Sequence, residues 1–175
     1  ASVATSDISF DLGAVMRQVH FAFRPEKAGW SGGHSNYAVQ AGLTTITVTP
    51  YQGQTAGAGA TFSVSSIRRG PAIAGTAARS GSIDAKGALV LDREEAIERL
   101  RNDEGGVEQT WTFARAPAGE GELVVRIQVD GESYSGTTEG GLHFVDAKTG
   151  LGVRYGHGTW VDAAGARTPV AAAAR

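Results

Sequence analysis

Apolar residues recur at every second position through most of this chain, and no other feature narrows its folding options as far. Ile8, Phe10 and Leu12 alternate with polar neighbours, as do Val19, Phe21 and Phe23. The β-branched run 43–49 places Ile46 and Val48 on one side, and Phe62 with Val64 continues the pattern. Val107, Gln109, Trp111 and Phe113 repeat it, then Leu123, Val125, Ile127 and Val129, then Leu142 with Phe144, then Leu151, Val153 and Tyr155. A two-residue period gathers alternate side chains on one face of a strand. Sheets with one face buried and one wet are characteristically antiparallel. The expected fold is therefore all-β, an antiparallel β-sandwich.

The connections support this reading. Asp84-Ala85-Lys86-Gly87, Asp146-Ala147-Lys148-Thr149-Gly150 and Asp162-Ala163-Ala164-Gly165 each lie between alternating runs. An Asp that accepts local amide hydrogen bonds, followed by a Gly in the left-handed region, closes a tight hairpin. Three hairpins are predicted. A calcium loop needs several carboxylates on one ion, and each of these turns has one acidic residue.

One segment departs from the period. Residues 92–102 predict a short helix, with Asp92 as its cap, Glu95 as the reciprocal partner and Ala96, Ile97 and Leu100 as an apolar stripe. Glu95 and Arg99 are spaced for a helical ion pair, and Gly105-Gly106 would end the helix. Residues 26–35, 52–60 and 114–121 read as loops. The domain expected is a sandwich module over 1–168, either one continuous sandwich or two internal halves, 1–80 and 81–168. Residues 169–175 form an Ala-rich tail or linker.

Composition excludes several classes of chemistry. The chain has no cysteine, so a disulfide framework and a thiolate metal site are both ruled out. A formal net charge of −2 without a basic stripe lacks the footprint of a nucleic-acid binder. No apolar run approaches the roughly 20 residues that span a bilayer, so no membrane insertion by a helix is expected. Neither a Gly-x-Ser-x-Gly elbow nor a phosphate loop ending in Gly-Lys-Ser/Thr occurs. His20, His34, His143 and His157 stand at no metal-ligand spacing. The expectation is no catalytic residue, no cofactor and no metal ligand. The residues expected to meet a partner are Trp30 and Tyr37, near the Gly-rich stretch, and Thr45 and Thr47, in an uncharged run suited to edge pairing. The opening Ala1 to Ser6 is small and polar, as a mature end is after export.

Residues 87–93, then an acidic stretch ending at Asn102-Asp103, then Gly106-Val107-Glu108-Gln109-Thr110-Trp111-Thr112-Phe113, resemble an N-terminal module of large bacterial surface proteins. Those proteins carry FG-GAP repeats, the integrin-α-like propeller blades, and are common in myxobacteria and planctomycetes. Residues 115–123, Leu142-His143-Phe144, Val153-Arg154-Tyr155-Gly156 and 162–170 match in kind, as do Gly29-Trp30 and residues 46–50 upstream. The resemblance implies an extracellular or cell-surface location and no particular reaction. The function expected is recognition, adhesion or assembly, with a surface protein, a glycan or a second copy as partner. The alternative is a hydrolase of an extracellular polymer, whose mark would be two carboxyl groups facing each other in a cleft.

Overall fold

The computed structural model describes residues 11–74 and 76–175, with residues 72–74 described in backbone only. In chain order the elements are α1 (Leu12–Phe21), β1 (Arg24–Glu26), β2 (Gly29–His34), β3 (Tyr37–Ala41), β4 (Thr45–Gln52), β5 (Thr55–Ala56), β6 (Ala60–Arg69), β7 (Ala72–Ala74), β8 (Ser80–Ile83), β9 (Leu89–Asp92), β10 (Ala96–Asp103), β11 (Gly106–Phe113), β12 (Leu123–Asp130), β13 (Ser133–Thr138), β14 (Gly141–Val145), β15 (Gly152–Tyr155), β16 (Gly158–Val161) and β17 (Arg167–Val170). The largest sheet runs β1-β2-β3-β4-β6-β12, with β5 beside β4 and β7 beside β6. A second sheet runs β11-β10-β9-β8, a third β13-β14-β15, and β16 pairs β17. The described pairs are antiparallel, as the alternation requires.

One face of the large sheet is buried twice over. Tyr37, Val39, Ala41 and Ile46 pack on Leu89, Leu91 and Leu100 of the second sheet, with Phe23 and Ala78 completing this core. The three leucines are wholly buried, and each contributes roughly 1.5–3 kcal/mol relative to exposure. Toward β12, Ala60 and Phe62 meet Leu142 and Phe144 of the third sheet, with Ile127, Val129, Val153 and Tyr155 around them. Val48 touches both cores. The arrangement is a sandwich in which one broad sheet is covered by two smaller ones. β12 joins the sheet of the first half, so a division near residue 80 does not separate the sheets.

The three Asp-to-Gly turns form as the sequence predicts. The Asp84 carboxylate accepts from the amides of Lys86 and Ala88, that of Asp146 from Lys148, and that of Asp162 from Ala164 and Ala166. Gly87, Gly150 and Gly165 have φ of 82°, 71° and 84°.

Two expectations are corrected. The helix predicted over 92–102 is a β-hairpin, in which β9 and β10 pair from Asp92–Ile97 to Leu89–Leu100. Ala96, Glu98, Leu100 and Asn102 alternate inward and Ile97, Arg99 and Arg101 outward. The two-residue period is present, but a glutamate and an asparagine hold half of the inward positions and hide it. Asp92 caps no helix. Its carboxylate takes the amide of Glu94 in the turn, where Glu94 adopts φ 69°. Pairing on both sides, with β9 and with β11, outweighs the weak helical propensity of the segment.

Conversely, the alternation around Val19 and Phe21 belongs to α1, not to a strand. Asp11 caps it by accepting from Ala14 at 3.0 Å. Leu12, Val15, Met16 and Val19 fit a helical period as well as a two-residue one. Ile8 and Phe10 lie outside the described residues.

Smaller corrections follow from pairing. The stretch 26–35 is mostly β2, and β5 lies within 52–60. The tail is held at its start, where Pro169 and Val170 pair with Thr159 and Gly158 and Ala172 packs on the second core.

Candidate functional site

Strand parity divides the four residues expected to meet a partner into two pairs. Trp30 stands opposite Ala41 and so points to the core side. It is half-buried against the first core, over Gly81, where a Cβ would strike the indole. Tyr37 is buried. Its hydroxyl contacts the carbonyl oxygens of Asp103 at 2.6 Å and Gly106 at 2.9 Å, tying β3 to the β10–β11 turn. Burial, and then the nearby Asp103 carboxylate, push its hydroxyl up to about 12. These two aromatics build the structure and do not present a platform.

Thr45 and Thr47 point the other way, away from the cores. They lie on β4, which is paired with β3 on one side and β6 on the other, so strand addition at this run is closed. What the threonines offer is a face. The register places Arg24, Ser31, Gln40, Thr47, Thr61 and Asp130 opposite one another in turn across β1, β2, β3, β4, β6 and β12. At the usual strand spacing such a row is about 24 Å long. A second row sets Thr45 beside Ser63 and Ser63 beside Gln128. Gln40, Thr45 and Gln128 are exposed, and Ser31, Thr47, Thr61 and Ser63 are half-buried. Between Arg24 and Asp130 both rows consist of hydroxyls and amides without charge. Thr47 and Thr61 join their hydroxyls at 2.8 Å, which fixes both rotamers at the centre. Both covering sheets lie on the opposite face.

No family model, curated protein or solved structure matches the chain. The site is therefore built from its own geometry.

Beside Arg24, at the edge of the sheet, lies a depression of about 300 Å3 whose lining includes His20, Arg24, Ser31, His34 and Tyr37; Ser31, opposite Gln40, belongs to the outer side and His34, opposite Tyr37, to the covered side. The His20 and His34 ring centroids are 5.2 Å apart, nearly perpendicular, and Phe21 packs against both. Sequence spacing left these histidines single. They meet because α1 packs against β2.

Further polar groups are buried. Arg93 places Nε and Nη2 each 2.5 Å from Glu98 Oε2, and both side chains are almost wholly buried. Gln109 donates to the other oxygen of Glu98, and the Tyr155 hydroxyl donates to Gln109 at 2.8 Å, joining the second sheet to the third. Burial, and then the charge of Glu98, drive the Tyr155 hydroxyl well above the ordinary range. Glu132, buried beside β15, accepts from the Val153 amide at 3.2 Å. Its carboxyl is raised above the usual value by burial, against the lowering effect of the Val153 and Gly59 amides. The Asp146 carboxylate is held below its usual range by the Lys148 amide and the Thr149 hydroxyl, with the Ala58 amide adding to them.

The outer-face residues that sequence reasoning passed over are Ser31, Gln40, Thr61, Ser63 and Gln128. Each is the polar partner of an alternating apolar residue, so parity marks them as outward. Which of them stand side by side depends on pairing between strands distant in sequence.

Proposed function

We propose that this chain is an extracellular recognition module that engages an uncharged, hydroxyl-rich polymer, a glycan, through the outer face of its large sheet. The observation that carries the reading is the pair of cross-strand rows, Ser31–Gln40–Thr47–Thr61 and Thr45–Ser63–Gln128. Hydroxyl and amide groups each donate and accept, which suits them to sugar hydroxyls. A rigid sheet presents them with little ordering cost. The resemblance to the leading module of FG-GAP surface proteins supports the cell-surface setting, since such a module would meet polymers of a cell envelope or matrix.

The magnitude is modest. Each such hydrogen bond nets about 0.5–1.5 kcal/mol after exchange with water. A handful of them, less the cost of association, gives affinities of about micromolar to millimolar. A module of this strength works by repetition along a polymer.

The test is affinity electrophoresis of the chain through gels containing neutral dextran, xylan or β-glucan, beside Thr45→Lys and Gln40→Ala. Both positions are exposed, so the variants should fold. Retardation by at least one polymer, lost in Thr45→Lys and weakened in Gln40→Ala, is expected. No retardation by any neutral polymer, or equal retardation of all three proteins, overturns the reading.

Association between copies is a second reading, favoured by one observation. On α1, Leu12, Met16 and Val19 are 59%, 64% and 62% exposed and share one side with Val15. Sedimentation of the chain beside Met16→Lys tests it. A self-association that the substitution removes supports this reading, and a wild-type monomer throughout the concentration range refutes it.

A further inference from the structure

Strand addition is closed at β4, but the same sheet ends on a strand where it is open. β12 is the last strand of the large sheet and, among the described residues, pairs with β6 alone. It is 8 residues long and alternates half-buried and exposed positions from end to end. The register shift opposite Arg126 and Ile127 is absorbed by β6, where Ser65 is the extra residue and donates its hydroxyl to the Arg126 carbonyl oxygen. β12 itself therefore keeps an unbroken two-residue period. It holds neither lysine nor proline, the residues that commonly blunt a sheet edge. Leu123, Val125, Ile127 and Val129 belong to its covered side, and Val124, Arg126, Gln128 and Asp130 to its outer side.

We infer that β12 is the contact edge of a two-fold dimer, in which a second copy adds its own β12 antiparallel and the large sheet continues through both molecules. Burial of one face requires outer residues to meet outer residues, which leaves few registers. A dyad on Arg126 would set two guanidinium groups opposite one another, which is unfavourable. A dyad on Ile127 sets Arg126 opposite the partner's Gln128 and Asp130 opposite the partner's Val124. A dyad on Gln128 sets Arg126 opposite the partner's Asp130, and by symmetry Asp130 opposite the partner's Arg126. Ile127 then meets the partner's Val129 on the covered side. Of the three, this last register alone pairs both charges, so charge complementarity selects the second copy and fixes how it sits. Neither Arg126 nor Asp130 forms an ion pair among the described residues. The Asp130 carboxylate takes the Gln128 amide at 3.0 Å on its own strand and keeps lone pairs for a guanidinium.

The other edges are less suited. β1 is short and contains Pro25, and β8 is short and contains Gly81. β11 is as long as β12, but its outer side offers Glu108, Thr110 and Thr112, and Arg101 already holds Glu108. A dyad on β11 has no opposite charge to pair. At β12 the dyad also sets Gln128 beside the partner's Gln128, so the row Thr45–Ser63–Gln128 runs on into the same row of the second copy. The dimer does not depend on what that row binds.

The test is sedimentation equilibrium of the whole chain from about 10 µM to about 1 mM, the range suited to a short, weak contact. It compares wild type with Arg126→Asp, Asp130→Arg and the double variant Arg126→Asp/Asp130→Arg. Both positions are exposed, so the variants should fold. Wild type should dimerise. Each single variant turns two attractions into two repulsions and should weaken the dimer about tenfold. The double variant restores both pairs with their signs exchanged and should dimerise like wild type. Amide exchange of residues 126–130 in wild type should slow as protein concentration rises. A wild-type monomer at every concentration, association indifferent to the single reversals, or a double variant no stronger than the singles overturns the inference. So does a dimer that Met16→Lys removes and the reversals leave intact, which would assign the contact to α1 instead. Retardation by neutral polymers is read separately, so loss of the dimer and loss of the glycan reading are distinguishable.

Discussion

Replacing Arg93 by Met should be the most damaging of the conservative-volume substitutions in this chain. Arg93 and Glu98 have side-chain exposures of 2% and 0%. Removing the guanidinium takes away both of its contacts with Glu98 Oε2 and leaves Gln109 as the remaining donor to that carboxylate. It also strips the Thr76 carbonyl of the Nη1 hydrogen that Arg93 gives it. Breaking a buried pair from one side costs about 3–5 kcal/mol, because a charge stays behind without compensation. Removing both charges, in Arg93→Met/Glu98→Leu, leaves only neutral groups unpaired, Gln109 and the Thr76 carbonyl. These cost about 1–3 kcal/mol each at most, and the added apolar packing offsets part of that. The double variant should therefore be more stable than the Arg93→Met single variant. Urea unfolding followed by tryptophan fluorescence is the assay. With a slope of about 2 kcal/mol/M, the single substitution lowers the midpoint by about 1.5–2.5 M. A loss below about 1 kcal/mol, or a double variant less stable than the single, would show that water reaches Glu98 and that the pair is not buried in solution.

Other substitutions probe the remaining features. Tyr37→Phe leaves the carbonyls of Asp103 and Gly106 without their donor and should cost about 1–2 kcal/mol in urea unfolding, with little change in packing. Glu94→Gly relieves a positive φ at the price of an exposed ion pair with Arg79 that is worth little, so it should raise stability by about 0.5–1 kcal/mol in a thermal melt. Glu132 and Asp146 should act in opposite senses with pH. The Glu132 carboxyl is raised, so the folded state holds its proton more tightly, and its contribution is present in acid and lost as pH rises past 4.5 through the raised folded value. Glu132→Gln should therefore gain stability at neutral pH relative to wild type and lose that advantage in acid. The Asp146 carboxylate is lowered, so its contribution is present above 3.8 and disappears as pH falls below that value; Asp146→Asn should be destabilised at neutral pH and indistinguishable in strong acid. Unfolding curves for both variants across this range decide the two signs.

The sequence alone determined whatever depends on neighbours along the chain. Alternation of apolar residues specified antiparallel strands, and the Asp-to-Gly segments specified three hairpin turns, since the carboxylate and the glycine act within five residues. Parity marked Thr45 and Thr47 as sharing a face opposite Ile46 and Val48. Tertiary structure decided the rest. The segment 92–102 carries residues acceptable to a helix, and it became a strand because Arg93 reaches Glu98 and because β9 and β11 flank it. That outcome requires a charge to be buried, and a charge is ordinarily read as solvent-facing. The segment around Leu12 satisfies both periods, and its helix is stabilised by the Asp11 cap and by contacts with β2 and β10. The outer face is the plainest case. Its residues come from six strands spread between Arg24 and Asp130. Their order follows from which strand pairs with which, a choice made by burial of the opposite face. A local pattern tells each of them only which way to point.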